Sequence, residues 1–264
     1  MTPDPTTIDP PSRERLPGRT PLRIAQRSEP VEHTRFEGEE RFAAYIAHEL
    51  RTPLATQRAL LELTLTDPLA DRACWRGVAR ELLEACLQQE RLLEACLTLA
   101  RSRCEPPRHQ PVDLGAIADE ALRTHDPHGT QRVLVPGPAW TTGDPSLLAR
   151  LAANLVSNAI RHNIAGGRVE VATRTVSGRA VLTIANTGPL IPVGELERLF
   201  QPFHRLNSNA QSFSDGVGLG LGLAIVQAIA EAHNAIVIAR PRAGGGLEID
   251  VSFAATPEQS DRTP

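Results

Sequence analysis

Phe42-Ala-Ala-Tyr-Ile-Ala-His48-Glu49-Leu50-Arg51-Thr52-Pro53-Leu54 is the stretch on which the reading of this 264-residue chain turns. Phe42, Ile46, Leu50 and Leu54 recur in steps of four, which marks the buried side of a helix. At about 100° per residue, His48 projects nearly opposite that stripe, with Thr52 one turn away on the same exposed side. A neutral imidazole is a competent nucleophile near neutral pH. Glu49 beside it can take the proton that the other ring nitrogen releases as it reacts. Pro53 cannot donate to the helix ladder, so a kink is expected there, with a free carbonyl one turn back. The stretch predicts a surface helix that displays a histidine nucleophile with a base at its side.

Outward from His48 the helical pattern runs from about Arg35 to Thr66, and Asp67-Pro68 ends it. A second helix is expected from about Asp71 to Arg103, carrying Val78, Leu82, Leu83, Leu87, Leu92, Leu93, Leu97 and Leu99. Its hexapeptide LLEACL occurs at 82–87 and again at 92–97, too short a repeat to signal a solenoid. Two long amphipathic helices joined by a short turn form an antiparallel hairpin. One hairpin cannot bury both stripes, so two are expected to pair as a dimeric four-helix bundle, which makes the chain a homodimer.

Composition narrows the remaining choices. The net charge is −3 and the isoelectric point about 6.3, which gives no basic footprint for nucleic acid. All 28 Lys-or-Arg positions are arginine, a compositional bias that carries no functional reading. No apolar run approaches the ~18–20 residues of a membrane-spanning helix, and no charged-then-apolar leader opens the chain. Cys74, Cys86, Cys96 and Cys104 are spaced too irregularly for a zinc site or a redox pair, and are expected to pack in the helical core.

The chain divides into five stretches on this reading. Residues 1–34, rich in Pro, Thr, Arg and Asp, are expected to be a disordered lead, and 35–104 the helical domain. The Pro-rich 105–111 forms a stiff linker, 112–254 a second domain and 255–264 a loose tail. In the second domain Val112–Thr124 reads as a helix and Arg132–Val135 as a strand. Pro145–Asn163 reads as a long helix, opened by Asp144-Pro145 at its N-cap and first turn. Arg168–Arg174 and Arg179–Ala185 alternate around Ser177-Gly178 as a hairpin. Leu221–Ala232 is helical, and Ile236–Arg240 with Leu247–Phe253 forms a last hairpin around Gly244-Gly245-Gly246. The fold class is α+β: the helical hairpin, then an α/β sandwich with a mixed sheet covered by helices on one face.

Three segments of this domain belong together. Asn154 and Asn158 stand one turn apart on the long helix, in the run Asn154-Leu-Val-Ser-Asn158-Ala-Ile-Arg161-His162-Asn163. Two amides among apolar neighbours suggest a bound polar partner. Ala185-Asn186-Thr187-Gly188-Pro189 leaves a strand into a turn, where Gly188 permits close backbone approach. Asp215-Gly-Val-Gly218-Leu-Gly220-Leu-Gly222 is a glycine-rich loop opening a helix, a setting whose backbone amides suit phosphates.

The His48 stretch resembles the phosphoacceptor box of two-component sensor histidine kinases. The three segments resemble the N-box and two glycine boxes of the ATP-binding fold that those kinases share with DNA gyrase and the heat-shock chaperone ATPase. Leu199-Phe200-Gln-Pro-Phe203 is similar to the F-box ahead of an ATP lid, here about 204–217. The resemblance spans about residues 35–254, and its wording is closest to actinobacterial members. It implies His48 as the phosphorylated residue, Glu49 as its general base, and Thr52 as the positioner of water for dephosphorylating the partner. It implies Asn158 as the Mg²⁺ ligand, with Asn154, Arg161, His162 and Asn163 near the phosphates of ATP. It places Asn186 and Gly188 at the adenine, and Gly218, Gly220 and Gly222 at the lid hinge and phosphates. The partner implied is the receiver domain of a response regulator.

Two departures qualify that expectation. Asn186 stands where the family usually has an aspartate, which predicts weaker nucleotide binding, and Leu190 replaces the second glycine of that box. No sensor or membrane segment is present, so the chain reads as cytoplasmic, or as the cytoplasmic portion of a longer membrane sensor. The rival readings are a degenerate kinase that recruits a regulator as a scaffold, and an enzyme acting mainly as a regulator phosphatase.

Overall fold

The computed structural model describes residues 22–24, 32–104, 109–125, 131–204 and 220–256. A short strand β1 (Leu22–Ile24) precedes two long helices, α1 (Glu32–Thr66) and α2 (Arg72–Cys104). The turn between the helices is made by aspartates. Asp67 Oδ1 accepts from Leu69 N at 2.9 Å, and Asp71 Oδ1 accepts from Cys74 N at 2.8 Å, capping the first turn of α2. α1 runs without a break through Pro53. The helix continues on both sides of it, so the missing N–H does not end the helix there.

The hairpin leaves much of its apolar surface uncovered. Leu54, Leu63, Leu83 and Leu97 are 55%, 68%, 61% and 57% exposed, while Ile46 and Leu50 are half-buried. Leu54 therefore does not share the burial expected of its stripe in a single chain. Cys74 and Cys86 are exposed and Cys96 half-buried, all three free thiols, so of these three Cys96 alone approaches the core packing expected, and the Cys104 side chain lies outside the described residues.

After the hairpin come β2 (Gln110–Asp113), α3 (Leu114–His125), β3 (Gln131–Val135), β4 (Trp140–Gly143) and α4 (Pro145–Arg161). They are followed by β5 (Arg168–Val176), β6 (Arg179–Asn186), two single 3₁₀ turns at 193–195 and 198–200, α5 (Gly222–Ala232), β7 (Ile236–Pro241) and β8 (Leu247–Ala254). Six strands form one sheet in the order β1-β7-β8-β6-β5-β3, antiparallel except for β3 against β5; β2 and β4 pair separately. The β5–β6 turn has Ser177 and Gly178 at φ 51° and 72°, the two positive values a two-residue hairpin turn requires.

One face of the sheet is apolar and lies under the helices. Val169, Val171, Leu182, Ile184 and Val251 pack with Leu148, Leu151, Leu155, Val226 and Ile229 in one buried cluster. On the alternate positions the sheet is polar: Thr183 Oγ1 donates to Asp250 Oδ1 at 2.5 Å, and Arg240 Nη1 lies 2.6 Å from Asp250 Oδ2. That asymmetry leaves the helices on one face. Asp144 caps α4, its Oδ1 accepting from Ser146 N and Leu147 N, with Pro145 in the first turn.

Two local expectations change, and one strand had no reading from the sequence. Val112–Thr124 is not all helix: Gln110–Asp113 is a strand, and the helix opens at Leu114, where Asp113 Oδ1 accepts from Gly115 N at 2.8 Å. Trp140–Gly143 is a strand that a four-residue stretch could not signal by period. Leu22–Ile24, within the expected lead, pairs with β7.

The helical and sheet parts touch. Leu92, Ala95 and Leu99 of α2 belong to the same buried cluster as the faces of α4 and α5, and Arg150 Nη1 lies 3.3 Å from Glu94 Oε2.

Candidate nucleotide and phosphoacceptor site

On α1 the His48 and Thr52 side chains are exposed and Glu49 is half-buried. The Thr52 hydroxyl donates to the His48 carbonyl at 3.3 Å, one turn back. That bond uses the hydroxyl proton and keeps the Thr52 oxygen beside the histidine.

In the second part, Leu155, Asn158 and Ala159 of α4 meet Ile184 and Asn186 of β6 and Leu247 and Ile249 of β8 around an open recess. The walls are aliphatic and two amides, Asn158 and Asn186, supply the polarity. Asn186 is 6% exposed. Its Nδ2 donates to the Thr187 carbonyl at 2.6 Å and, more weakly, to the His162 carbonyl at 3.4 Å. Two carbonyls on the nitrogen fix the amide's orientation, with Oδ1 as its acceptor atom.

The N-box residues do not act as one group. Asn158 lines the recess, whereas Asn154 turns its Nδ2 onto the Arg150 carbonyl at 2.8 Å. Its Oδ1 lies 3.5 Å from where a Cβ on Gly222 would stand, so it faces the start of α5. Arg161 and His162 are exposed at the end of α4. Although the residue as a whole is exposed, partial desolvation of the Arg161 guanidinium, and then the positive charge of Arg91 on α2, hold its pKa below the ordinary value. Asn163 braces the chain locally: its Oδ1 accepts from Thr187 Oγ1 at 2.5 Å and from Ile164 N at 3.0 Å.

The turn after β6 rests on glycines from two places. A Cβ on Gly188 would stand 2.7 Å from the His162 carbonyl oxygen. Gly245 and Gly246, at φ 91° and 94°, lie so close to the Gly188 and Asn186 backbone that no side chain fits. Gly246 N donates to the Pro189 carbonyl at 2.9 Å. Leu190 is 70% exposed and not among the residues with positive φ, so this turn does not require a glycine there.

The F-box and the last glycine box also meet. Phe203 N donates to the Gly220 carbonyl at 2.9 Å, with both residues at positive φ, 67° and 69°. His204 Nε2 lies 3.2 Å from Glu195 Oε2, and that hydrogen bond holds the Glu195 carboxyl below its ordinary pKa. Gly218 and 205–217 of the expected lid lie outside the described residues.

Residues 39–105 match the His Kinase A (phospho-acceptor) domain, and residues 143–257 match the family of histidine kinase-, DNA gyrase B- and HSP90-like ATPases. The chain belongs to the two-component sensor histidine kinases. It is 42% identical over 223 residues to the sensor protein CutS of Streptomyces coelicolor, covering 83% of this chain and 53% of that protein. It is 33% identical over 243 residues to the sensor protein kinase PmrB of Pseudomonas aeruginosa, covering 88% and 49%. The chain thus spans about half the length of these relatives. Among solved structures, the mycobacterial sensor histidine kinase MprB superposes with a TM-score of 0.50 at 29% identity, over 57% of this chain and 99% of that one. The Acinetobacter baumannii histidine kinase AdeS shares the fold with a TM-score of 0.60, over 80% and 98% of the two chains at 22% identity.

In this sensor kinase the phospho-acceptor match contains His48, and the ATPase match runs from the end of β4 through β8 and contains the whole recess. His48 is not among the residues that line the recess. The sequence reading missed the aliphatic walls Leu155, Ala159, Ile184, Leu247 and Ile249, which look like any core residues. It also missed Gly245 and Gly246 as supports of the Asn186 turn, although the triple glycine was visible as a hairpin.

Proposed function

We propose that this chain is an ATP-dependent protein histidine kinase that phosphorylates itself on His48 and passes the phosphoryl group to an aspartate of a response-regulator receiver domain. The carrying observation is the presence in one chain of an exposed His48 with Glu49 beside it and a recess walled by aliphatic side chains and two amides. The domain assignment is part of the proposal: 35–104 for dimerisation and phosphotransfer, 105–111 as linker running into β2 at Gln110, and 112–254 for ATP binding, with 1–34 as a lead that contributes the edge strand Leu22–Ile24 and 255–264 as tail. The chain acts on the cytoplasmic side, and among the described residues no helix is long and apolar enough to cross a membrane.

A ring nitrogen of His48 forms a bond to the γ-phosphorus as the bond to the ADP oxygen breaks, and Glu49 receives the proton from the other nitrogen. Asn186 Oδ1 accepts from the exocyclic amine of adenine. Asn154 and the glycines Gly218, Gly220 and Gly222 would face the phosphates, with Arg161 and His162 near them at the end of α4; Asn163, expected with them from the sequence, braces the turn after β6 instead, and Gly188 makes room at the base. No cluster of three His, Cys, Asp or Glu occurs among the described residues, so no all-protein metal cage exists there. That fits Mg²⁺, which takes one or two protein ligands and completes its shell with water and phosphate. Asn158, on the recess wall, would hold it, and Mg²⁺ would supply neutralisation of phosphate charge. The leucines left exposed on α1 and α2 support a homodimer.

His48→Gln is expected to abolish labelling by γ-labelled ATP while nucleotide binding persists, and Asn158→Ala to lose both. Acid-labile labelling that survives His48→Gln would overturn the assignment. Thr52, exposed one turn from His48, supports a second activity on the phosphorylated regulator. Thr52→Ala is expected to slow dephosphorylation of the regulator and to leave His48 labelling unchanged.

A further inference from the structure

The outer edge of β7 is occupied. Leu22, Arg23 and Ile24 pair antiparallel with Ala239, Ile238 and Val237, so β1 supplies the sixth strand of the catalytic sheet. Without it β7 would end the sheet with a row of unpaired N–H and C=O groups, a template for any extended segment. β7 is well anchored for such a role: Val237, Ala239 and Pro241 are buried, and β8 pairs its full length on the other side. Leu22 and Ile24 are apolar and fall in register opposite two of those buried positions.

The occupant lies close in sequence to α1. Seven residues, 25–31, separate Ile24 from Glu32 at the start of α1. A link of that length spans at most about 28 Å. The start of the helix that carries His48 is thereby tethered to the far edge of the nucleotide-binding sheet. The sheet part is already held once by α2, through Leu92, Ala95 and Leu99 and the Arg150–Glu94 pair. One attachment permits rotation about itself; a second removes it.

We propose that the outer edge of β7 is a strand-docking surface whose partner is residues 22–24 of the same chain, and that the docked strand restrains the nucleotide-binding part relative to α1. Main-chain pairing supplies the attraction, as in other strand additions to a sheet edge. The docking stands on geometry alone; the restraint rests on the kinase reading above.

The test compares the full chain with its Leu22→Pro/Arg23→Pro/Ile24→Pro variant, in which the strand cannot donate to the ladder. Amide hydrogen exchange across Val237–Arg240 is expected to rise at least tenfold at the alternate amides that face β1, with the amides facing β8 unchanged. Equal protection in the two chains overturns the docking. A labelled variant mixed with unlabelled parent chain tests the occupant: protection regained in the labelled chain would place the strand of a second copy on the edge and overturn the same-chain assignment. His48 labelling from γ-labelled ATP is expected to be at least threefold faster in the variant, and an equal rate overturns the restraint. Absence of labelling in both chains counts against the kinase reading, and the exchange result still decides the docking.

Discussion

At the scale of single residues, Asn186 is the side chain on which the proposed nucleotide recognition turns. Its nitrogen is tied to two backbone carbonyls, so an aspartate here would set a carboxylate oxygen against the Thr187 and His162 carbonyls. Asn186→Asp is therefore expected to lower folding stability by about 1–3 kcal/mol, the cost of lost donations in a buried setting, measured by urea denaturation. His233 offers a pH-dependent counterpart. Its Nδ1 donates to the Ile229 carbonyl at 2.8 Å and its Nε2 accepts from Asp144 N at 3.0 Å, so the ring is held neutral in one tautomer. Burial lowers its pKa from the ordinary 6.5, and His109 lowers it further, against the Ile229 bond and the Asp144 charge. A depressed folded value means that the stabilisation is complete above the unfolded pKa and is lost as pH falls through the folded one. Melting temperature is expected to drop below about pH 6.5, and His233→Gln, which keeps an acceptor for Asp144, to flatten that drop. The exposure of His48 was legible from spacing, because it projects away from the apolar stripe that carries Ile46 and Leu50. The orientation of Asn186 was not, since it depends on a carbonyl from a different helix end.

At the scale of elements, the long periodic segments read well and the short ones poorly. α1, α2 and α4 announce themselves by apolar steps and by Asp144-Pro145, whereas β1 and β4 hold three and four residues and exist only through their partners. Residues 112 and 113 looked helical because Val112 matches the apolar pattern of α3; Pro111 and the Asp113 cap instead make them the end of a strand. The triple glycine could be read as a turn, yet its work is to let two hairpin ends touch. Gly245→Ala is expected to cost about 1–3 kcal/mol, since a side chain there must adopt an unfavourable φ and meets the Gly188 carbonyl. Thermal unfolding checks it, and nucleotide affinity should fall with it because the Asn186 turn rests on the same contact.

At the scale of the whole molecule, the leucines left exposed on α1 and α2 fit the proposed pairing with a partner copy. Sedimentation equilibrium is expected to show a dimer, and Leu83→Glu/Leu97→Glu to shift it to monomer while the ATP-binding part stays folded. The same scale shows why domain packing was illegible: Leu92, Ala95 and Leu99 satisfy a helical stripe whether they face another helix pair or the sheet domain. The Phe203–Gly220 bond has a last consequence. Since those two residues already meet, any segment that joins them starts and ends at neighbouring points on the body of the domain. Chain entropy grows only with the logarithm of length in such a loop, about 0.6 kcal/mol for each doubling. Insertions at this point should therefore be nearly free thermodynamically, making it the place where a foreign segment or reporter can be spliced into the domain without unsettling its fold.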